Sequence, residues 1–174
     1  SSPVIVTNGS KSFLYQAVHS LRRLGKPIVL SGLDSENFGE DISCATCSRR
    51  AEMHRLIHYL VHNGRRNIAL VGFWTKSQND LLYFHAAKSA ALRAGTPIAE
   101  ESAFFWENSL EESLSAFFRQ NERYDAAVCP NDAVALCVAN SCRMQGIPIP
   151  ERLFLTGASN MQIGQFCDPS LTTI

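Results

Sequence analysis

Short, wholly apolar runs alternate with stretches of helical period along this chain, and that alternation restricts the fold more than any other feature. Val4-Ile5-Val6, Ile28-Val29-Leu30, Ile68-Ala69-Leu70-Val71 and Ala126-Ala127-Val128-Cys129 carry no polar residue. Such runs read as strands buried on both faces. Between them, Leu14, Ala17, Val18, Leu21 and Leu24 repeat at helical spacing, as do Met53, Leu56, Ile57, Leu60 and Val61. Gly25, Gly64, Gly95 and Gly146 follow the helical stretches, where a chain leaving a helix needs a left-handed residue. Further helices are expected over about 79–93, from the Ser109-x-x-Glu112 capping box to Phe118, and from an Asn131 N-cap to Met144. Further strands are expected at 103–106 and 153–156, with a weaker one at 42–47. The expected class is α/β: parallel sheets covered by helices, as two Rossmann-like lobes. The polar turn Asn63-Gly64-Arg65-Arg66 is the expected boundary, with 1–65 in one lobe and 66–174 in the other.

Charge narrows the function. Sixteen basic and sixteen acidic residues cancel. A duplex-gripping surface needs an excess of Lys and Arg, so these residues are not expected to hold nucleic acid themselves. No run approaches the length of a membrane span. The opening Ser1-Ser2-Pro3-Val4 lacks the pattern of a secretion signal, and the six cysteines do not form a disulfide framework, so a reducing, cytoplasmic setting is expected. Cys137 and Cys142 are expected inside a helix as small hydrophobes.

In open parallel sheets, ligands bind beyond the carboxyl ends of the strands. That rule nominates Thr7 and Asn8, Ser31, Cys47, Phe73 and Trp74, Asn131 and Asp132, and Ser159 and Asn160. Trp74 reads as an aromatic wall against a ligand ring, and Trp106 as a second candidate for the same role. Cys44-Ala45-Thr46-Cys47 is an isolated C-x-x-C with no second pair, and His54, His58 and His62 repeat on one helix face without a carboxylate or thiolate beside them. Neither is expected to hold a metal. No Walker loop, nucleophile elbow or zinc-protease motif occurs, so neither catalysis nor a cofactor is expected.

Two stretches carry a family resemblance. His62-Asn63-Gly64-Arg65-Arg66-Asn67-Ile68-Ala69-Leu70-Val71-Gly72 is one. The other begins at Tyr124-Asp125-Ala126-Ala127-Val128-Cys129-Pro130-Asn131-Asp132-Ala133, continues through Gly146-Ile147-Pro148-Ile149-Pro150, and closes at Pro169-Ser170-Leu171-Thr172-Thr173-Ile174. In order and spacing they resemble the effector-binding domain of LacI/GalR-type transcription repressors, a periplasmic-binding-protein-like fold. The resemblance implies a sensor whose two lobes close on a small effector, sugar-like by expectation. It implies a homodimer, and DNA contact only through a helix-turn-helix domain outside these 174 residues. It also implies that the N-terminal lobe is incomplete here.

By the same resemblance, the ligand-reading positions are Cys47, Asp80, Asn131, Asp132 and Ser159, joined by Trp74 and Trp106. The family commonly has a carboxylate where Cys47 stands, an Arg where Asp80 stands and an Asp where Ser159 stands. Asp80 would repel an anionic effector, whereas a sugar or polyol could use its acceptors. Two rival readings are a periplasmic sugar-binding transport protein and an interaction module that has lost its ligand.

Overall fold

A computed structural model describes residues 2–7, 11–31, 38–39, 42–45 and 48–174. In chain order these fold as β1 (Val4–Val6), α1 (Lys11–Arg23), β2 (Ile28–Ser31), β3 (Ser43–Ala45), α2 (Arg49–His62), β4 (Ile68–Trp74), α3 (Gln78–Arg93), β5 (Ala103–Trp106), α4 (Leu110–Phe118), β6 (Ala126–Val128), α5 (Asp132–Met144) and β7 (Phe154–Thr156). All strand pairs within the sheets are parallel. The α/β class read from the alternation of runs is therefore borne out.

The chain divides into two compact units, Ser1–Ser48 and Arg49–Ile174. The smaller holds a sheet ordered β1-β2-β3. Val6, Leu14, Val18, Ile28, Leu30, Phe38 and Ile42 form its core. The larger holds a sheet ordered β5-β4-β6-β7. One face of that sheet packs Ile68, Leu70 and Phe73 against Met53, Ile57 and Leu60 of α2 and Phe84, Ala87 and Ala91 of α3. The other packs Ala69, Val71 and Ala127 against Phe117 of α4 and Val138 and Cys142 of α5. β4 sits centrally and is buried from Ile68 to Phe73, which explains why its sequence shows no alternation.

The division falls at Ser48/Arg49 rather than at the polar turn 63–66 where the sequence placed it. The physical reason is that α2 shares its apolar stripe with α3 and β4. The turn is also bracketed to the larger unit. The backbone N–H groups of Arg66 and Asn67 donate to the Asp125 carboxylate at 3.0–3.1 Å, and the Arg65 guanidinium donates to the Pro150 and Glu151 carbonyls. A polar turn tied to two neighbouring segments, at Asp125 and at Pro150–Glu151, fixes the amino-terminal edge of the sheet rather than marking a joint.

Two local expectations change. Ser109 is the N-cap of α4, but its side chain makes no capping hydrogen bond. Capping of that kind occurs instead at Ser77 and Asp80 on α3, where the Asp80 N–H donates to Ser77 Oγ. On α5, Cys142 is buried as expected but Cys137 is exposed.

Candidate functional site

The carboxyl ends of β5, β4, β6 and β7 lie along one edge of the larger sheet, because all four strands run parallel. Three of the sequence candidates, Trp106, Trp74 and Asn131, stand at or just beyond those ends, and Ser159 follows β7 by three residues.

Trp74 and Trp106 are the last residues of adjacent strands and are register partners. Their rings stack with centroids 5.2 Å apart and planes 13° from parallel. Each indole N–H reaches across to the other strand's backbone. Trp106 Nε1 donates to the Gly72 carbonyl at 3.0 Å, and Trp74 Nε1 donates to the Glu107 carbonyl at 3.3 Å. Gly72 has φ +78°, beside a register irregularity between Val71 and Phe73. A Cβ there would lie 2.4 Å from Val134 Cγ1, so only glycine allows α5 to approach β4 this closely.

Asp80 lies in the first turn of α3, and its carboxylate is engaged within the chain. Oδ2 accepts the Trp74 backbone N–H at 2.9 Å, and Oδ1 accepts the Ser77 hydroxyl at 2.8 Å. It therefore holds the backbone at the tip of β4. Ser77-x-x-Asp80 is itself a capping pattern, and this was the signal available in the sequence for that role.

Asn131 caps α5: its Oδ1 accepts the Val134 N–H at 3.0 Å. Asp132 is fully buried. Its Oδ2 accepts the Met161 N–H and its Oδ1 the Thr173 hydroxyl, both at 2.6 Å, while its own N–H donates to the Ala158 carbonyl. The carboxylate thus ties α5 to the turn after β7 and to the last residues of the chain, and faces no open surface. Thr172 bridges to Thr156. Ser159 is exposed, with φ +101°, and its N–H donates to the Ile174 carbonyl at 2.8 Å. Thr173 and the Met161 N–H were not legible from sequence as partners of Asp132, since they meet it across 29–41 residues. Cys47 lies outside the described residues.

Cys129, immediately after β6, is buried, and its thiol pKa is raised above that of an ordinary cysteine, first by desolvation and then by the charges of Cys142, Cys137 and Asp132. It therefore stays a neutral thiol. Among the described residues no group of three or more His, Cys, Asp or Glu could hold a metal ion. His54, His58 and His62 are all exposed on α2.

A family model for the periplasmic binding protein-like domain matches residues 57–174. The chain belongs to the periplasmic binding protein-like domain family. Its relatives carry the LacI/GalR resemblance further. The "HTH-type transcriptional repressor PurR" of Glaesserella parasuis is 28% identical over 121 residues, which is 67% of this chain and 35% of that protein. A LacI-family regulatory protein from Chloroflexus aggregans superposes with a TM-score of 0.82 at 19% identity, over 97% of this chain and 60% of the other. A transcriptional regulator CelR in complex with cellobiose superposes at 0.78 with 19% identity, over 98% of this chain and 53% of the other. At those identities the structural likeness establishes the fold. The chain spans 35–40% of the length of the first curated relatives it matches. The terminal Pro-x-Leu-Thr-Thr-Ile motif, residues 169–174, lies inside the stretch that the family model matches.

Proposed function

We propose that this domain senses a small molecule at the carboxyl edge of the β5-β4-β6-β7 sheet and belongs to a cytoplasmic transcription regulator rather than an enzyme. The observation that carries the reading is the row of Trp106, Trp74, Asn131 and Ser159 along one parallel-sheet edge, where ligands of open α/β sheets bind. The transcription repressors among its relatives supply the regulatory context. The CelR–cellobiose complex makes a small organic effector a natural class of ligand for this fold. DNA contact belongs to a segment outside these residues, in keeping with their zero net charge.

The mechanism is a shift of populations. An effector that binds one conformation of the regulator more tightly than another moves the balance by that difference in affinity. A tenfold change in operator occupancy needs about 1.4 kcal/mol, which one or two site hydrogen bonds supply. The regulator acts as a homodimer in this reading. Exposed Met161, Ile163 and Phe166, together with a groove of about 180 Å³ that Leu136, Ile147 and Pro169 help to line, support self-association.

Thermal unfolding against a panel of sugars, polyols, nucleosides and free nucleobases tests the reading. A saturating ligand at about a hundred times its Kd adds about 2.7 kcal/mol of stability. The same ligand should change operator binding by the full-length regulator. A flat response across the panel favours an interaction module without a ligand and overturns the sensor.

A further inference from the structure

The outer face of α2 carries a side-chain cluster that effector sensing does not use. His54, His58 and His62 stand four residues apart, so they project from one side of the helix, each a turn beyond the last. The opposite side, with Met53, Leu56, Ile57 and Leu60, is buried. All three imidazoles are exposed. The rings of His54 and His58 already lie together, with centroids 4.2 Å apart and planes 37° from parallel.

Two histidines at this helical spacing are the chelating element of helical zinc sites. Two nitrogens that share a zinc ion, each at 2.0–2.1 Å, stand at most about 4 Å apart. The ring centres of His54 and His58 lie close to that separation, and both rings are on an open surface where they can turn. His58 and His62 repeat the spacing. His54 and His62 are eight residues apart, about 12 Å along the helix axis, and cannot share one ion. His58 therefore belongs to both usable pairs, and His54 is the partner whose ring adjoins it.

Among the described residues no third His, Cys, Asp or Glu joins them. That excludes a closed structural cage, which takes four protein ligands, and the sequence expectation of no metal at this stripe applies to such a cage. It leaves a labile site whose other positions are filled by water. The neighbours decide the kind of ion. Glu52, the single carboxylate of α2, accepts the Tyr83 hydroxyl at 2.8 Å, and Arg50 and Arg55 on the same helix are exposed. Magnesium and calcium need oxygen ligands, whereas imidazole suits zinc, nickel and copper. Positive charge nearby further disfavours an ion held by charge alone.

We infer that the outer face of α2 reversibly binds an imidazole-preferring divalent transition ion, of the zinc, nickel and copper class, through His54 and His58. The ion joins two successive turns of α2. It does so away from the carboxyl edge of the sheet, so the sensor reading stands or falls without it.

The test is a Zn2+ titration of the chain, prepared without an affinity tag, followed by calorimetry and by the histidine ring resonances. Saturable binding is expected, with shifts of the His54 and His58 resonances. Mg2+ and Ca2+ at about tenfold higher concentration should leave those resonances in place. Groups that merely orient a metal ligand already change affinity about 10–100-fold, so His58→Gln, which removes a ligand itself, should weaken binding about tenfold or more. His54→Gln should weaken it by a smaller factor, because His58 and His62 remain as a pair, and His62→Gln least of all. The three positions are exposed and glutamine sustains a helix, so circular dichroism should match the parent's. If His58→Gln binds Zn2+ as tightly as the parent, or the three variants lose affinity equally, this pair does not hold the ion and the inference is overturned. If Zn2+ moves no histidine resonance of the parent, it is overturned without recourse to any variant.

Discussion

Asp132→Ala is expected to be among the most damaging single substitutions outside the apolar core. The carboxylate is fully buried and holds two donors at 2.6 Å, the Met161 N–H and the Thr173 hydroxyl. Hydrogen bonds to a charged partner contribute roughly 1.5–3 kcal/mol each. The first-turn position on α5 adds about 0.3–1 kcal/mol through the helix dipole. The Thr173 hydroxyl can rotate toward another acceptor, which recovers part of the loss, whereas the Met161 N–H is fixed. We therefore expect a loss of about 3–5 kcal/mol, and a fall in Tm of about 6–20 °C for a chain of this size. Urea unfolding followed by tryptophan emission measures it directly, since both tryptophans lie in the unit that contains Asp132. Asp132→Asn should recover only part of the loss, because an amide NH2 must then face one of two donors. A double-mutant cycle with Thr173→Val should give a coupling of about 1 kcal/mol or more. A loss below about 1 kcal/mol for Asp132→Ala, with an unchanged m value, would refute the claim that this carboxylate ties α5 to the end of the chain.

Gly157→Ala should also destabilise strongly, since its Cβ would stand 2.2 Å from Asp132 Oδ1; a Tm equal to the parent's would show that the turn can move aside. Asp80→Ala removes the acceptor of the Trp74 N–H and of the Ser77 hydroxyl, and should lower stability by about 1–3 kcal/mol, with altered tryptophan emission as the second readout. The Cys142 pKa is raised by burial from 9.0 to about 11, so the folded state keeps its proton where the unfolded chain loses it. Stability from this group is fully present below pH 9 and lost as pH rises toward about 11; Cys142→Ala should flatten that alkaline decline in a Tm-against-pH series. In the native state an aromatic disulfide reagent should react quickly with exposed Cys137 and slowly with buried Cys129 and Cys142, and equal rates would contradict the placement of α5.

The sequence by itself determined the class of fold. Unbroken apolar runs such as Ile68–Val71 can be buried only where both faces of a sheet are covered, and helical-period stretches between them supply the cover. It also located the edge on which Trp74, Trp106, Asn131 and Ser159 stand, because strand direction follows from that alternation. What the side chains do at that edge was decided only in three dimensions. Asp80 and Asp132 look alike in the sequence as ligand acceptors, yet each carboxylate is engaged by donors of its own chain. The partners of Asp132 approach across 29–41 residues, beyond the reach of any local pattern. The unit boundary moved for the same reason. Periodicity shows that α2 has an apolar face, and only packing shows that the face belongs to α3 and β4.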